Sequence, residues 1–299
     1  MNWFNDDRSA HTGSAREALA SDASISLSCV RWMGLTSTLL VSVLFPLSAF
    51  AATVEWSGGD GRYMDGGNWD TGSVPSIGDD AVIEGNGTDV TYDAGSASSV
   101  GTLTLGTKVT FTTNVAGGSF SAGKTYADGA SLYAKNGSEL NLGGGSLVGS
   151  NLYVYSGATL STTVNSWGGH SAYNYSHFTA SGSGSLLDLS TIETIRRNYV
   201  SSATLRITAS GGGKVDLSGL MKLKDYSDSR VGGLISISVD GSGSAVDISK
   251  VTALDQVSLS VGDRGQIDYS SLESLIDSSV TAKSGSVLNL SSIALDGTD

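Results

Sequence analysis

The sequence predicts an all-β chain: a right-handed parallel β-helix of three-faced coils, each about 21 residues long, with an N-terminal cap. Three observations carry this expectation. First, one pattern recurs five times between Leu186 and Leu295: LLDLSTIETI, KVDLSGLMKL, AVDISKVTAL, QIDYSSLESL and VLNLSSIAL. Its central column is Asp188, Asp216, Asp247, Asp268 and Asn289, at spacings of 28, 31, 21 and 21. A shared short period with longer copies fits a solenoid whose loops carry insertions. Second, apolar residues alternate with polar ones inside each copy, which is strand periodicity. Third, glycine numbers 40 and proline only 2, so turns are plentiful and helix formers few.

The polar stretch 1–28 has no apolar period. Cys29 and Arg31 then precede an apolar run from Met33 to Phe50, and Ala49-Phe50-Ala51 is a small-x-small cleavage site. Residues 1–51 therefore read as a leader and signal peptide, with Met1 or Met33 as its start. A membrane anchor is the alternative, since the run is close to spanning length; Pro46 and the cleavage site favour the signal peptide. Cleavage removes the sole cysteine, and with it disulfides, thiolate-bound zinc and cysteine nucleophiles. No membrane span is expected after cleavage. The exported chain would keep 14 basic and 25 acidic residues. That balance disfavours nucleic acid and anionic membranes, whose binding rests on Lys and Arg. The expected localisation is secreted or cell-surface.

Residues 52–95 read as the cap. Trp56, Tyr63 and Trp69 lie among glycines, and Pro75 and Gly78-Asp79-Asp80 lead into an alternating strand at Ala81–Ile83. Large aromatics fixed by Gly turns can cover the core and the open strand edge that a first coil exposes. The same three rings could instead form a carbohydrate platform. The spacing of Trp56, Asn68, Trp69, Pro75, Gly78, Asp79 and Val82 resembles the W…NW…P…GD segment that opens many secreted bacterial β-solenoid surface proteins of the autotransporter-passenger or adhesin kind. The resemblance covers about thirty residues and implies a class rather than an activity.

The solenoid is expected over 96–299 and regular from about 185. Period-two strands run from Asp89 to Leu160, and NGSELNLGG already places Asn141 in the Asp column. In the repeats, Leu187/Leu189, Val215/Leu217, Val246/Ile248, Ile267/Tyr269 and Leu288/Leu290 share the inward face. A strand precedes most copies (Leu205/Ile207, Ile235/Ile237/Val239, Val257/Leu259/Val261), and a shorter apolar pair follows each. Three segments per coil make three faces. The period is too long for a hexapeptide left-handed helix; an array of β-sandwiches is the alternative architecture. The chain stops directly after a repeat, which suggests a piece of a longer protein or an end covered by a partner.

Two features are candidates for chemistry. The outward Asp188, Asp216, Asp247 and Asp268 could bind calcium between rungs, oppose lateral aggregation, or cap turns together with the Ser two residues on. Residues 165–178 interrupt the pattern with Trp167, His170, Tyr173, Tyr175 and His177. Aromatics on a loop suit a sugar or a protein partner, and the two histidines suit a metal. The cluster could equally pack the loop onto the coil. A polysaccharide lyase or glycoside hydrolase, with Asp188, Arg196, Arg197 and His177 converging, is the enzymatic alternative. No nucleophile-elbow, zincin or dinucleotide-binding motif is present. The function expected from sequence is an exported structural or adhesive module contacting a polysaccharide or cell-surface partner, with no cofactor other than calcium.

Overall fold

A computed structural model describes residues 51–170, 175–196, 204–224, 235–283 and 285–296. The leader, its apolar run, Tyr173, Arg197 and the Asp225–Gly232 insertion lie outside the described residues. No α-helix occurs among those described, and every named strand pairing is parallel.

Each coil carries the chain through three sheets in a fixed order. One coil shows the plan: Tyr175–Ser181 lies in the first sheet, Leu186–Asp188 in the second and Thr194–Arg196 in the third. The first sheet stacks ten strands from Gly61–Arg62 to Ser279–Ala282. In the second, the predicted Asp column is in register: Asp188 pairs with Asp216, Asp216 with Asp247, and Asp247 with Asp268. Asn141 stands in the same column, one rung from Ser161, which pairs with Asp188. The strands Ala97–Leu105, Ser119–Asp128 and Glu139–Val148 bend at their glycines and serve the second and third sheets in turn. Leu142 lies in the second-sheet pairing with Thr162, whereas Leu147 lies in the third-sheet pairing with Trp167.

The interior follows from parity. On a strand, alternate side chains point to opposite faces, so one register fixes an inner column over the whole stack. In the third sheet that column reads Leu105, Ala127, Leu147, Trp167 and Ile195, and later Leu223, Leu254, Leu275 and Leu295. In the first sheet it passes through Leu152, Phe178, Ile207, Ile237, Leu259 and Val280. Nearly all are buried; Leu295, in the last described coil, is 56% exposed.

The segment read as a cap is itself coiled. Thr53–Glu55 pairs with Asp80–Ile83, and Asp80–Ile83 pairs with Thr102–Leu105 in the third sheet. The boundary expected at 96 is therefore not a boundary in the sheets, which begin at Thr53. Between Gly61–Arg62 and Asp80–Ile83, the stretch 66–79 replaces a second-sheet strand and includes a short 3-10 turn at Gly66–Asn68. This irregular connection hid the coil from a period-based reading. Trp56, Tyr63 and Trp69 are all buried. Tyr63 meets Trp69 and Phe120 edge-on at 5.0 Å and contacts Tyr92 and Phe111 at 5.9 Å. Trp69 Nε1 donates to the Tyr63 carbonyl at 2.9 Å. These rings fill the end of the core, so the carbohydrate platform weighed for them is excluded by burial.

The corner from the third sheet back to the first is made by a residue in the left-handed region: Lys108, Gly129, Gly149, Gln256 and Asp277 in five coils. Their amides stitch one coil to the next, Gly129 N to Val148 O and Asp277 N to Asp296 O among them. At Gly149 (φ 55°) a Cβ would lie 2.2 Å from the His170 Cβ, so only glycine fits.

Trp167 is the largest fully buried side chain in the third-sheet column. Its truncation leaves a cavity that the rigid rungs on either side cannot close. Trp167→Ala is expected to cost about 3–5 kcal/mol, read as a fall in the denaturation midpoint; a loss under about 1 kcal/mol would contradict the core placement.

Candidate functional site

The sequence gathered Trp167, His170, Tyr173, Tyr175 and His177 into one candidate surface. The structure distributes those it describes over different environments. Trp167 points inward, 2% exposed, packs edge-on against Phe178 at 5.4 Å and donates through Nε1 to the Ser150 carbonyl at 3.2 Å. It offers no ring face to a ligand. Its position between Leu147 and Ile195 in the inner column is the reason. Ser166–Gly168 and Tyr175–Ser181 are thus ordinary rungs.

His170 sits at that corner, where its Nε2 lies 3.3 Å from Asp128 Oδ1. Tyr175 and His177 alternate outward on the first sheet, Tyr175 59% exposed and His177 half-buried. There His177 joins a group that the sequence reading missed. Tyr133 and Tyr153 occupy adjacent rungs in register and stack at 4.5 Å with planes 14° apart. Tyr155 lies beside both, at 6.4 and 6.2 Å. Lys135 Nζ covers Tyr133 at 4.4 Å from the ring centroid, and His177 stacks on Tyr153 at 6.0 Å. The signal was present in the spacing of SLYAK and NLYVY, one coil apart.

This ladder is neutral. Burial, then the neighbouring Tyr133 and Tyr155 hydroxyls, push the Tyr153 phenol up to about 12. Burial also raises Tyr133 and Tyr155. The ladder's geometry decides what it can do. Sugar stacking needs an uncovered ring face, and the faces of Tyr133 and Tyr153 are turned toward each other, Lys135 and His177. What reaches solvent is edges and hydroxyls. Ring-on-ring stacks of this kind contribute about 0.5–1.5 kcal/mol each, so the ladder chiefly ties coils together.

The Asp column closes turns. The amides of Ser190, Ser218, Ser249 and Ser270 donate to Oδ1 of Asp188, Asp216, Asp247 and Asp268 at 3.1, 2.9, 2.9 and 3.0 Å. Asn289 accepts from Ser291 N in the same way at 3.1 Å. An uncharged amide thus does in the fifth copy what a carboxylate does in the other four. Among the described residues, no three His, Asp, Glu or Cys side chains form a group that could hold a metal ion.

The proposed catalytic set does not converge. His177 lies on the first sheet, Asp188 on the second and Arg196 on the third, while Arg197 is outside the described residues. Three faces of one coil cannot direct these groups at one bond, which corrects that constellation. No helix among the described residues is long and apolar enough to cross a membrane. No protein-family model matches the chain, and neither the curated proteins nor the solved structures hold a significant match to it.

Two outcomes follow. Asp216→Ala should lose about 1 kcal/mol of stability through the turn it leaves uncapped. Asp216→Asn should lose almost none, and added calcium should leave the midpoint of the unaltered protein unchanged; a calcium-dependent rise abolished by Asp216→Asn would restore the metal ladder. Burial, with Arg206 beside it, holds the His177 imidazole below the usual histidine range. The unfolded chain therefore takes up a proton near pH 6.5 that the folded chain resists, and stability declines as the pH falls through that value. His177→Asn is expected to flatten the decline between about pH 7 and pH 5; unchanged curvature in urea midpoints across that range would show that His177 is not its source.

Proposed function

We propose that the chain is an exported β-solenoid, secreted or held at a cell surface, which acts as a rigid structural or adhesive module and contacts carbohydrate along its sides. The observation that carries this reading is the uniformity of the outer surface. Hydroxyl and amide side chains repeat in register down the sheets: Ser121, Asn141 and Ser161 on the second, and Ser131 and Asn151 on the first. They hydrogen-bond to one another between rungs, as Asn151 Nδ2 does to Ser131 Oγ at 3.2 Å and Ser161 Oγ to Asn141 Oδ1 at 2.8 Å. Such ladders stiffen a stack and present a flat, hydrated face. They do not assemble a nucleophile, a base and an oxyanion donor around one point.

Export is supported by the Met33–Phe50 run and its cleavage site. Adhesion is supported by the many shallow polar contacts a long flat surface can make at once. The acidic balance fits a partner that is neutral or cationic rather than phosphate-rich.

The test uses cells expressing the full chain. Antibody labelling of intact cells and of the medium should find the protein outside, beginning at Ala52. The recovered protein should bind immobilised polysaccharides while releasing neither reducing nor unsaturated ends from them. Retention in the cytoplasm with an intact leader would overturn the export reading, and release of sugar ends would transfer the protein to the lyase or hydrolase alternative.

A further inference from the structure

The third sheet differs from the other two in its outer surface. One outward column reads Val82, Thr104, Tyr126, Ser146, Ser166 and Thr194. The column beside it follows the strand ends through Glu84, Gly106, Asp128, Val148, Gly168 and Arg196, where Asp128 pairs with Val148 and Gly168 with both Val148 and Arg196. At Gly168 a Cβ would meet nothing within 4 Å, so glycine there leaves a gap in the ridge, and two hollows lie along the column. One, of about 540 Å³, lies around Gly106 between Glu84 and Asp128, with Tyr126 along its side. The other, of about 430 Å³, lies around Gly168 and is lined by Asn165, Glu193 and Arg196. Both are bordered by Ser146 and Val148, so they adjoin along the axis of the coil. Six rungs at about 4.8 Å each give a track roughly 24 Å long.

We infer that this track is the carbohydrate-contacting surface, and that it takes a neutral, extended oligosaccharide with one ring seated on Tyr126. The inference rests on the carbohydrate reading above and gives it a place and a ligand class. Three properties select the ligand. Tyr126 is 45% exposed and, unlike the ladder tyrosines, takes part in none of the aromatic stacks among the described residues; its ring can meet the apolar face of a sugar. Glu84, Asp128 and Glu193 are acceptors for sugar hydroxyls, and charge-assisted bonds of that kind are the stronger ones. Thr104, Ser146, Asn165 and Thr194 add neutral donors and acceptors along the same line. Three carboxylates against Arg196 and the Asp128-paired His170, on a chain of net charge −12, repel uronic or sulfated glycans. The length and straightness of the track suit an extended chain rather than a single sugar.

Gly168 supplies a clean test. A Cβ built there meets nothing within 4 Å, and the residue lies in a strand, so Gly168→Val should fold while filling the hollow. The protein recovered from the medium is titrated calorimetrically with neutral hexasaccharides of glucose, xylose and mannose, beside a hexagalacturonate. At least one neutral chain should bind more tightly than the galacturonate. Tyr126→Ala and Gly168→Val should each weaken it about tenfold with unchanged melting curves, whereas Tyr175→Ala on the first sheet should leave it intact. Neutral binding that survives both third-sheet changes and falls with Tyr175→Ala would overturn the track while leaving the carbohydrate reading in place. Tighter binding of the galacturonate would overturn the ligand class. Failure of every hexasaccharide and of the immobilised polysaccharides to bind would overturn both.

Discussion

The fold depends on one constraint: a coil cannot bury its own interior. Each rung is closed above and below by its neighbours at a single strand spacing. Apolar side chains must therefore recur at the same position in every rung, and all three sheets must keep one register. This constraint drew Trp167 inward. The rung needed an apolar residue between Leu147 and Ile195, and tryptophan met that need with its indole N–H satisfied by Ser150. The same constraint aligned the Asp column. Once Leu187, Val215 and Val246 point in, the residues after them must point out, and each finds its use in closing the turn that follows.

Corners are where the constraint relaxes. A turn must only return the chain to the next sheet, so its length is free while its end points are fixed. Between the third and first sheets a single left-handed residue suffices in five coils, whereas six residues lie between Gly168 and Tyr175, seven between Arg196 and Thr204, and ten between Lys224 and Ile235. The strands on both sides of these corners keep their register, as Ser166–Gly168 does with Thr194–Arg196 and Tyr175–Ser181 with Thr204–Ser210. The spacings of 28 and 31 in the Asp column thus go with strands that keep their register on both sides of a longer intervening segment.

This explains what the sequence made legible. Parity within a strand is local, so the inner pairs, the three segments per coil and the Asp-to-Ser turns could all be read from short windows. Asn141 could be placed in the column because its own window, SELNL, repeats the pattern. Contacts between rungs are different, because they join residues twenty or more positions apart and require the register. The stacking of Tyr133 on Tyr153 was hidden for that reason. So was the adjacency of Glu84, Gly106 and Asp128, which share no motif. The reading of 165–178 as a break failed on another ground. A glycine-rich stretch with bulky aromatics resembles a loop by composition, although Trp167 and Phe178 stand at inner strand positions with the correct parity. Residues 52–95 likewise read as a cap set before the coils, because the connection through 66–79 has no strand period.

Covering and uncovering of ring faces is the last step in separating scaffold from surface. Aromatics in this molecule are used in three ways. Tyr63, Trp69, Phe111 and Phe120 meet edge-to-face inside the core. Tyr133, Tyr153 and His177 stack outside it, each covering the next. Both groups have committed their faces to the protein, and the contacts that hold a coil in place leave nothing for a partner. Tyr126 differs from both groups: it is outward, 45% exposed, and lines the hollow around Gly106. On a surface otherwise levelled by Ser, Thr and Asn, a bare ring beside a hollow is neither a packing element nor a turn. A regular solenoid has many positions where such a ring could be shielded by a residue one rung away. Here the next rung offers Ser146, which is too short to cover it.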